Sequence, residues 1–311
     1  MFFDGCPTLT EPWLRSDLVT DPRGPEVISE GKTMSLKRFP EKRTLITGAG
    51  SGFGRALALE FAKLGWRIGV AEINAERAAE SAELIRQAGG RPVEILCDVT
   101  KPEDLDAAAA LVQKEWGGLD ILVINAGVAA AGLVEKTPLE TWDWILALNT
   151  KSIILGCRSF IPMLKAQKSG YIVNMASVAG ISSLPEMGCY NITKAAAISL
   201  SETLRGELAP FNIGVSVICP SFFKTNLMDQ FTSPDERQRK MAAAFFQKSR
   251  ATADQIARHV IKCVDKKRFY IITQKDARFM WYAKRYFPET YFRITAGVYK
   301  KNLIDKYLGV S

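Results

Sequence analysis

The 311-residue chain has a single histidine, His259, and its six cysteines (Cys6, Cys97, Cys157, Cys189, Cys219 and Cys263) are scattered without a close pair. A zinc site of the usual kind needs Cys or His ligands at short spacing, so no metal site is expected. Acid–base chemistry that depends on histidine would have to use His259, which lies in a polar helical context and reads as structural. Lone cysteines give no disulfide framework, and a reduced, cytoplasmic compartment is the natural expectation. No run of 18 apolar residues occurs, so no transmembrane helix is predicted. Residues 1–40 lack the apolar stretch of a signal peptide and scatter five prolines among charges; they read as a poorly ordered extension, with Met34 an alternative start.

Acidic residues are in deficit, and the deficit is local. The net charge is +8, yet residues 1–265 hold 30 basic and 30 acidic side chains, whereas 266–311 hold 11 basic and 3 acidic ones. A neutral body excludes a general nucleic-acid coat and leaves a question about the C-terminus.

From residue 43 onward, short β-branched runs alternate with longer helical patterns. Strands are predicted at 43–47, 67–72, 92–97, 120–124, 171–175, 214–218 and 269–273, and helices at 53–64, 75–88, 102–115, 152–168, 189–209 and 253–264. The strands are mostly continuously apolar, as strands covered on both faces should be. Asn74 and Thr100 are the expected helix caps, with Pro102 in a first turn. The pattern implies an α/β fold: a Rossmann-like, doubly wound, seven-stranded parallel sheet in one domain, 41–274, with ligands at the carboxyl edge of its strands and a helical tail at 275–311.

The first predicted strand runs into Thr47-Gly48-Ala49-Gly50-Ser51-Gly52-Phe53-Gly54 and then a helix. Glycines there let backbone amides approach a pyrophosphate, and the helix N-terminus favours its charge. The second strand ends at Glu72, whose carboxylate can accept ribose hydroxyls and would repel a 2′-phosphate. With no Arg or Lys at Ile73 or Ser51, NAD is favoured over NADP; a plain strand-end surface charge is the other reading of Glu72.

Tyr190 and Lys194 are four residues apart on one helix face, Ser177 follows the fifth strand, and Asn149 precedes a long helix. A phenol near its ordinary pKa of about 10 is a poor catalyst at neutral pH, and bringing it into range takes about 3 to 4 kcal/mol of phenolate stabilisation. A neighbouring ammonium is the natural source of that field.

Taken together, Thr47 to Gly54, Asp98, Asn125-Ala126-Gly127, Asn149, Ser177, Tyr190 with Lys194, and Pro220 with Thr225 resemble the short-chain dehydrogenase/reductase family over residues 42 to about 274. The resemblance implies catalytic Asn149, Ser177, Tyr190 and Lys194: Tyr190 exchanging the proton, Ser177 orienting the substrate oxygen, Lys194 binding the nicotinamide ribose and lowering the Tyr190 pKa, Asn149 holding a relay water. It also implies that NAD is bound by Gly48, Ser51, Gly52, Phe53, Gly54, Glu72, Asp98, Val99, Asn125, Gly127, Tyr190, Lys194, Pro220 and Thr225. Asp98 would touch the adenine and Thr225 the carboxamide. Ile124 and Ser221 depart from the family's usual residues, at positions that supply no chemistry.

The expected activity is hydride transfer between NAD(H) and a secondary alcohol or ketone. An NADP-linked carbonyl reductase and a non-catalytic NAD-binding regulator or scaffold are the alternatives. Apolar residues after Pro220 (Phe222, Phe223, Leu227, Met228, Phe231 and the patch 242–246), with Val128, Leu184 and Met187, suit a lipid-like, steroid-like or alicyclic substrate; packing in a core or subunit contact would use the same residues. By family analogy the helices at 152–168 and 189–209 make a homodimer or homotetramer. In the basic tail Phe279, Tyr282, Ala283 and Tyr286 share one helix face and Pro288 ends the run. The tail is compatible with packing on its own subunit or a neighbour, or with a peripheral contact to a membrane surface.

Overall fold

The computed structural model describes residues 36–310. Seven strands, β1 (Arg43–Thr47), β2 (Arg67–Glu72), β3 (Arg91–Leu96), β4 (Ile121–Ile124), β5 (Gly170–Met175), β6 (Ile213–Ile218) and β7 (Tyr270–Ile271), form one parallel sheet in the order β3-β2-β1-β4-β5-β6-β7. β4 and β5 are buried throughout, as their unbroken apolar character requires. β3 is an edge strand, which is why Pro92 fits within it.

The helices are α1 (Gly52–Ala62), α2 (Ala75–Gln87), α3 (Pro102–Trp116), α4 (Leu139–Leu146), α5 (Ser152–Gln167), α6 (Ala179–Ser182), α7 (Gly188–Glu207), α8 (Glu236–Lys248), α9 (Ala253–Asp265), α10 (Lys275–Tyr286), α11 (Pro288–Lys300) and α12 (Leu303–Leu308). They bury the sheet faces: Phe160 and Leu164 of α5 join Ile172 of β5 in the main core cluster. Each fully buried apolar side chain contributes about 1.5–3 kcal/mol. Strand order reverses direction between β1 and β4, so the loops after these strands diverge and leave a crevice at the carboxyl edge. None of the described helices is long and apolar enough to cross a membrane.

Several local expectations change. Asn74 caps α2, its Oδ1 accepting the Arg77 N–H at 2.8 Å. Thr100 does not cap α3: the N-cap position is Lys101, and Thr100 instead donates its N–H and hydroxyl to Asp98 Oδ1 at 3.0 and 2.7 Å. A short side chain two residues past an aspartate is captured by that carboxylate before it can reach the helix. β7 is shorter than the predicted 269–273, α4 and α6 form where the pattern predicts no helix, and the helical tail is divided into α10, α11 and α12. Of the expected extension, residues 1–35 lie outside the described residues. Phe39 packs edge-on against Trp66 and Tyr171, with ring centroids 6.0 and 6.3 Å apart.

Candidate active site

The glycine turn sits at the end of β1. Gly48 has φ +65°, and a Cβ at Gly54 would stand 2.1 Å from Gly48 O, so only glycine closes this turn. Ser51 occupies the N-cap of α1 with extended backbone and no side-chain capping bond. The first amides of α1 thus remain available, as an anion site requires. Asn125, at the end of β4, locks the turn from behind: its N–H donates to Thr47 Oγ1 and its Nδ2 to Thr47 O, both at 2.9 Å.

One cleft runs along this edge. Its wall includes Gly48, Ser51, Gly52, Phe53, Gly54, Glu72, Asp98, Val99, Asn125, Gly127, Tyr190, Lys194, Pro220 and Thr225, every residue expected to hold the cofactor. The glycine turn, the open helix terminus and the strand-end carboxylate fit a dinucleotide, with Glu72 and Asp98 at one end and Tyr190, Lys194 and Thr225 at the other. Ser177 and Asn149 are buried and do not line the cleft.

Glu72 is buried rather than a surface charge: Oε2 accepts the Gly50 N–H at 3.1 Å, while Oε1 accepts the Asn74 N–H at 3.3 Å and Arg77 Nη2 at 2.9 Å. Arg77 lines the same end of the cleft. Positions 51 and 73 carry no cation, but Arg77, five residues after Glu72, supplies one. The Asn74 cap was the available signal, because a capped helix carries its third residue back toward the strand end.

Tyr190 is buried within an apolar cluster of Val128, Ala129, Ala130, Ile145, Ala179 and Cys189, with Met187, Leu227, Phe231, Trp142 and Trp144 against it. Burial pushes the Tyr190 phenol up to about 12, and a hydrogen bond with Ser177 works against that. Ser177 Oγ also accepts the Ala179 N–H at 3.1 Å and donates to Pro220 O at 3.4 Å. Lys194 Nζ lies 5.6 Å from the Tyr190 ring centroid and donates to Met175 O at 3.2 Å. Burial pulls the Lys194 ammonium down to about 8, with the nearby Cys219 thiol opposing. The expected lowering of Tyr190 by Lys194 is absent here, because burial dominates both groups.

Asn149 lies in a π-helical turn, 147–151, of the kind often found at functional sites. Its Oδ1 accepts the Val128 N–H and its Nδ2 donates to Val128 O, both at 2.8 Å, so the side chain fixes the strand of chain behind Gly127. Phe222 does not face the site: it stacks on Phe245 at 4.6 Å and meets Phe246 edge-on at 5.3 Å. Trp142 and Trp144, in the unpredicted α4, take the place near Tyr190. His259 Nε2 lies 3.4 Å from Cys263 Sγ, and His259 is absent from the cleft wall among the described residues. No cluster of potential metal ligands occurs among the described residues.

Residues 42–236 match the family model of the short chain dehydrogenases. The chain is 32% identical over 217 residues to the 2-(R)-hydroxypropyl-CoM dehydrogenase of Xanthobacter autotrophicus, covering 68% of this chain and 87% of that protein. It is 34% identical over 196 residues to a 3beta-hydroxysteroid dehydrogenase of Mediterraneibacter gnavus, covering 63% and 71% respectively. A short chain dehydrogenase/reductase from Burkholderia phymatum, solved in complex with NAD, superposes with a TM-score of 0.75 at 30% identity, over 79% of this chain and 94% of that one. With the sheet order, the glycine turn and the Tyr190–Lys194 pair already in place, these matches show that the chain belongs to the short chain dehydrogenase family of NAD(P)-binding oxidoreductases.

Proposed function

We propose that this oxidoreductase transfers a hydride between NAD(H) and an apolar secondary alcohol or ketone, with Tyr190 as general acid and base. The observation that carries the reading is the junction of Tyr190 and Lys194 with the apolar side chains of Val128, Leu148, Phe223 and Leu227 in the wall of the same cleft that carries the glycine turn and Glu72. The bound nicotinamide supplies or accepts the hydride.

In the reducing direction Tyr190, which keeps its proton in the buried site, donates it to the carbonyl oxygen. In oxidation the phenolate takes the alcohol proton, a state favoured by the Ser177 hydrogen bond. Ser177 orients the phenol and the substrate oxygen. Lys194 holds the cofactor ribose, and Asn149 keeps the floor beside Gly127 in place. Holding reactants in register in this way supplies much of the barrier reduction.

Glu72 supports NAD, its carboxylate being placed to accept ribose hydroxyls. The NADP reading keeps one specific observation in its favour, the Arg77 guanidinium beside Glu72. The test is absorbance at 340 nm with either cofactor and secondary alcohols graded in size and polarity. Tyr190→Phe should abolish turnover while NADH binding, followed by fluorescence, persists; undiminished turnover by that variant would sink the mechanism.

A further inference from the structure

One face of α10 carries aromatic side chains that point away from the protein. Lys275, Phe279, Tyr282 and Tyr286 fall on a single ridge of α10, at spacings of four, three and four residues. Phe279 is 74% exposed, Tyr286 64%, and Phe287, just beyond, 67%. The opposite side of α10 makes the contacts with the body: Ala277 is buried, Met280 and Trp281 pack on the main core, and Lys284 Nζ donates to Ile181 O at 2.6 Å. α11 has no buried residue, and Phe292 and Ile294 are exposed on it. Packing on its own subunit is therefore satisfied by a different face from the aromatic one. Exposed apolar area of this extent marks a surface with a partner.

The charge on the same helices identifies the partner. Residues 275–311 carry eight Lys and Arg against three Asp and Glu. Among the described residues Lys275, Arg285, Arg293, Lys300, Lys301 and Lys306 form no ion pair. A second copy meeting this surface through a two-fold axis would bring the same uncompensated cations against each other. An anionic bilayer answers both properties at once: rings enter the headgroup boundary while lysines and arginines meet lipid phosphates.

We propose that α10 and α11 form a docking surface for an anionic membrane, lying in the interface plane and not crossing it. The surface is coupled to the catalytic region through the loop between α6 and α7. Beside Lys284, Tyr291 OH donates to Ser182 O at 3.0 Å and Tyr299 OH to Glu186 Oε1 at 3.0 Å. Ser182 ends α6 and Glu186 lies in the loop after it, both within the segment that runs from Ser177 to Tyr190.

The test is co-sedimentation of the full chain with phosphatidylcholine vesicles, with and without phosphatidylglycerol. Binding to the phosphatidylglycerol vesicles only, reversed by salt, is expected. A Phe279→Ser, Tyr286→Ser, Phe287→Ser variant and a Lys275→Gln, Arg285→Gln, Arg293→Gln variant should each bind at least about tenfold more weakly. Because all these residues are exposed, NADH binding and thermal unfolding should be unchanged in both. No sedimentation with anionic vesicles, or equal binding to pure phosphatidylcholine, overturns the proposal. So does retention on DNA without vesicle binding, or a serine variant that loses self-association in vesicle-free ultracentrifugation while its vesicle binding stays intact.

Discussion

Arg77 Nη2 stands 2.9 Å from Glu72 Oε1 at the end of the cleft where β2 gives way to α2. A carboxylate that would repel a 2′-phosphate is thus paired with a guanidinium that would attract one, and cofactor preference depends on which side chain the ligand meets. Glu72→Ala should weaken NADH binding by about tenfold or more, the worth of a hydrogen bond to a charged group. NADPH binding should strengthen in the same variant, since Arg77 is then unopposed. Arg77→Ala should leave NADH within a few-fold and weaken any residual NADPH binding. Fluorescence titration of both nucleotides measures all four effects, and NADH affinity untouched by Glu72→Ala would remove the carboxylate from the ribose site.

Gly54 has the tightest backbone approach in the glycine turn, its missing Cβ lying 2.1 Å from Gly48 O and 2.7 Å from Asn125 Nδ2. Gly54→Ala must therefore move backbone, and it disturbs the Asn125 side chain that holds β1 to β4. NADH affinity should fall at least tenfold, with a drop in stability of roughly 1–3 kcal/mol from the forced shift. Gly206→Ala is the control, because nothing lies within 4 Å of the added methyl and it sits inside helix α7. It should be neutral or slightly stabilising in thermal denaturation.

The parts of the site legible from sequence are those set by short spacing. The glycine turn, the Glu72 strand end and the Tyr190–Lys194 pair each lie within one strand–helix junction or one helical turn, so local geometry decides them. Arg77 is equally local, but its place beside Glu72 depends on the Asn74 cap that turns α2 back toward the strand end. Trp142 and Trp144 are not legible for another reason: α4 is eight residues long, and its apolar face is defined only by the buried cluster around Tyr190 on which it packs. The link from Glu186 to Arg237 spans 51 residues, and that from Arg237 to Asp305 spans 68, distances at which charge pattern carries no pairing information. The aromatic stripe of α10 was visible, but the side it would present was not, since Trp281 and Lys284 proved better suited to the body.

His259 gives a stability test with a defined sign. Burial, reinforced by Arg278, Arg268, Lys262 and Lys266, pulls its imidazole down to about 4, against about 6.5 in an unfolded chain. Between these values the unfolded state binds more protons than the folded one, so stability is complete above pH 6.5 and is lost as pH falls toward 4. As the chain has no other histidine, the upper part of this window belongs to one group. Urea unfolding at pH 6.5 and pH 5 should show wild type losing roughly 2 kcal/mol more than His259→Gln. Equal losses would mean that the folded imidazole is protonated over this range.

Arg237, at the start of α8, joins three segments distant in sequence. Its guanidinium donates to both carboxylate oxygens of Glu186 in the loop between α6 and α7, and to Asp305 of α12 at 2.9 Å. Glu186 holds a left-handed backbone at φ 62°, and its carbonyl accepts the Gly132 N–H at 2.6 Å, so this loop is fixed from several sides. The two carboxylates have side chains only 6% and 12% exposed, whereas Arg237 is 33% exposed. Arg237→Ala therefore leaves two poorly solvated negative charges facing each other. The full penalty for orphaning a buried ion pair is about 3–5 kcal/mol, and the partial exposure of Arg237 reduces it to roughly 1–3 kcal/mol. The expected result is a lower unfolding temperature and faster tryptic cleavage at Lys300 and Lys301. A raised substrate KM should accompany these changes, with NADH affinity unchanged because the cofactor half of the cleft has no part in the network. Arg237→Lys should restore only part of the stability, since a single ammonium cannot serve both carboxylates bidentately. Unaltered proteolysis together with unaltered KM would show that α8, the loop before α7 and the C-terminal helices hold together without this residue.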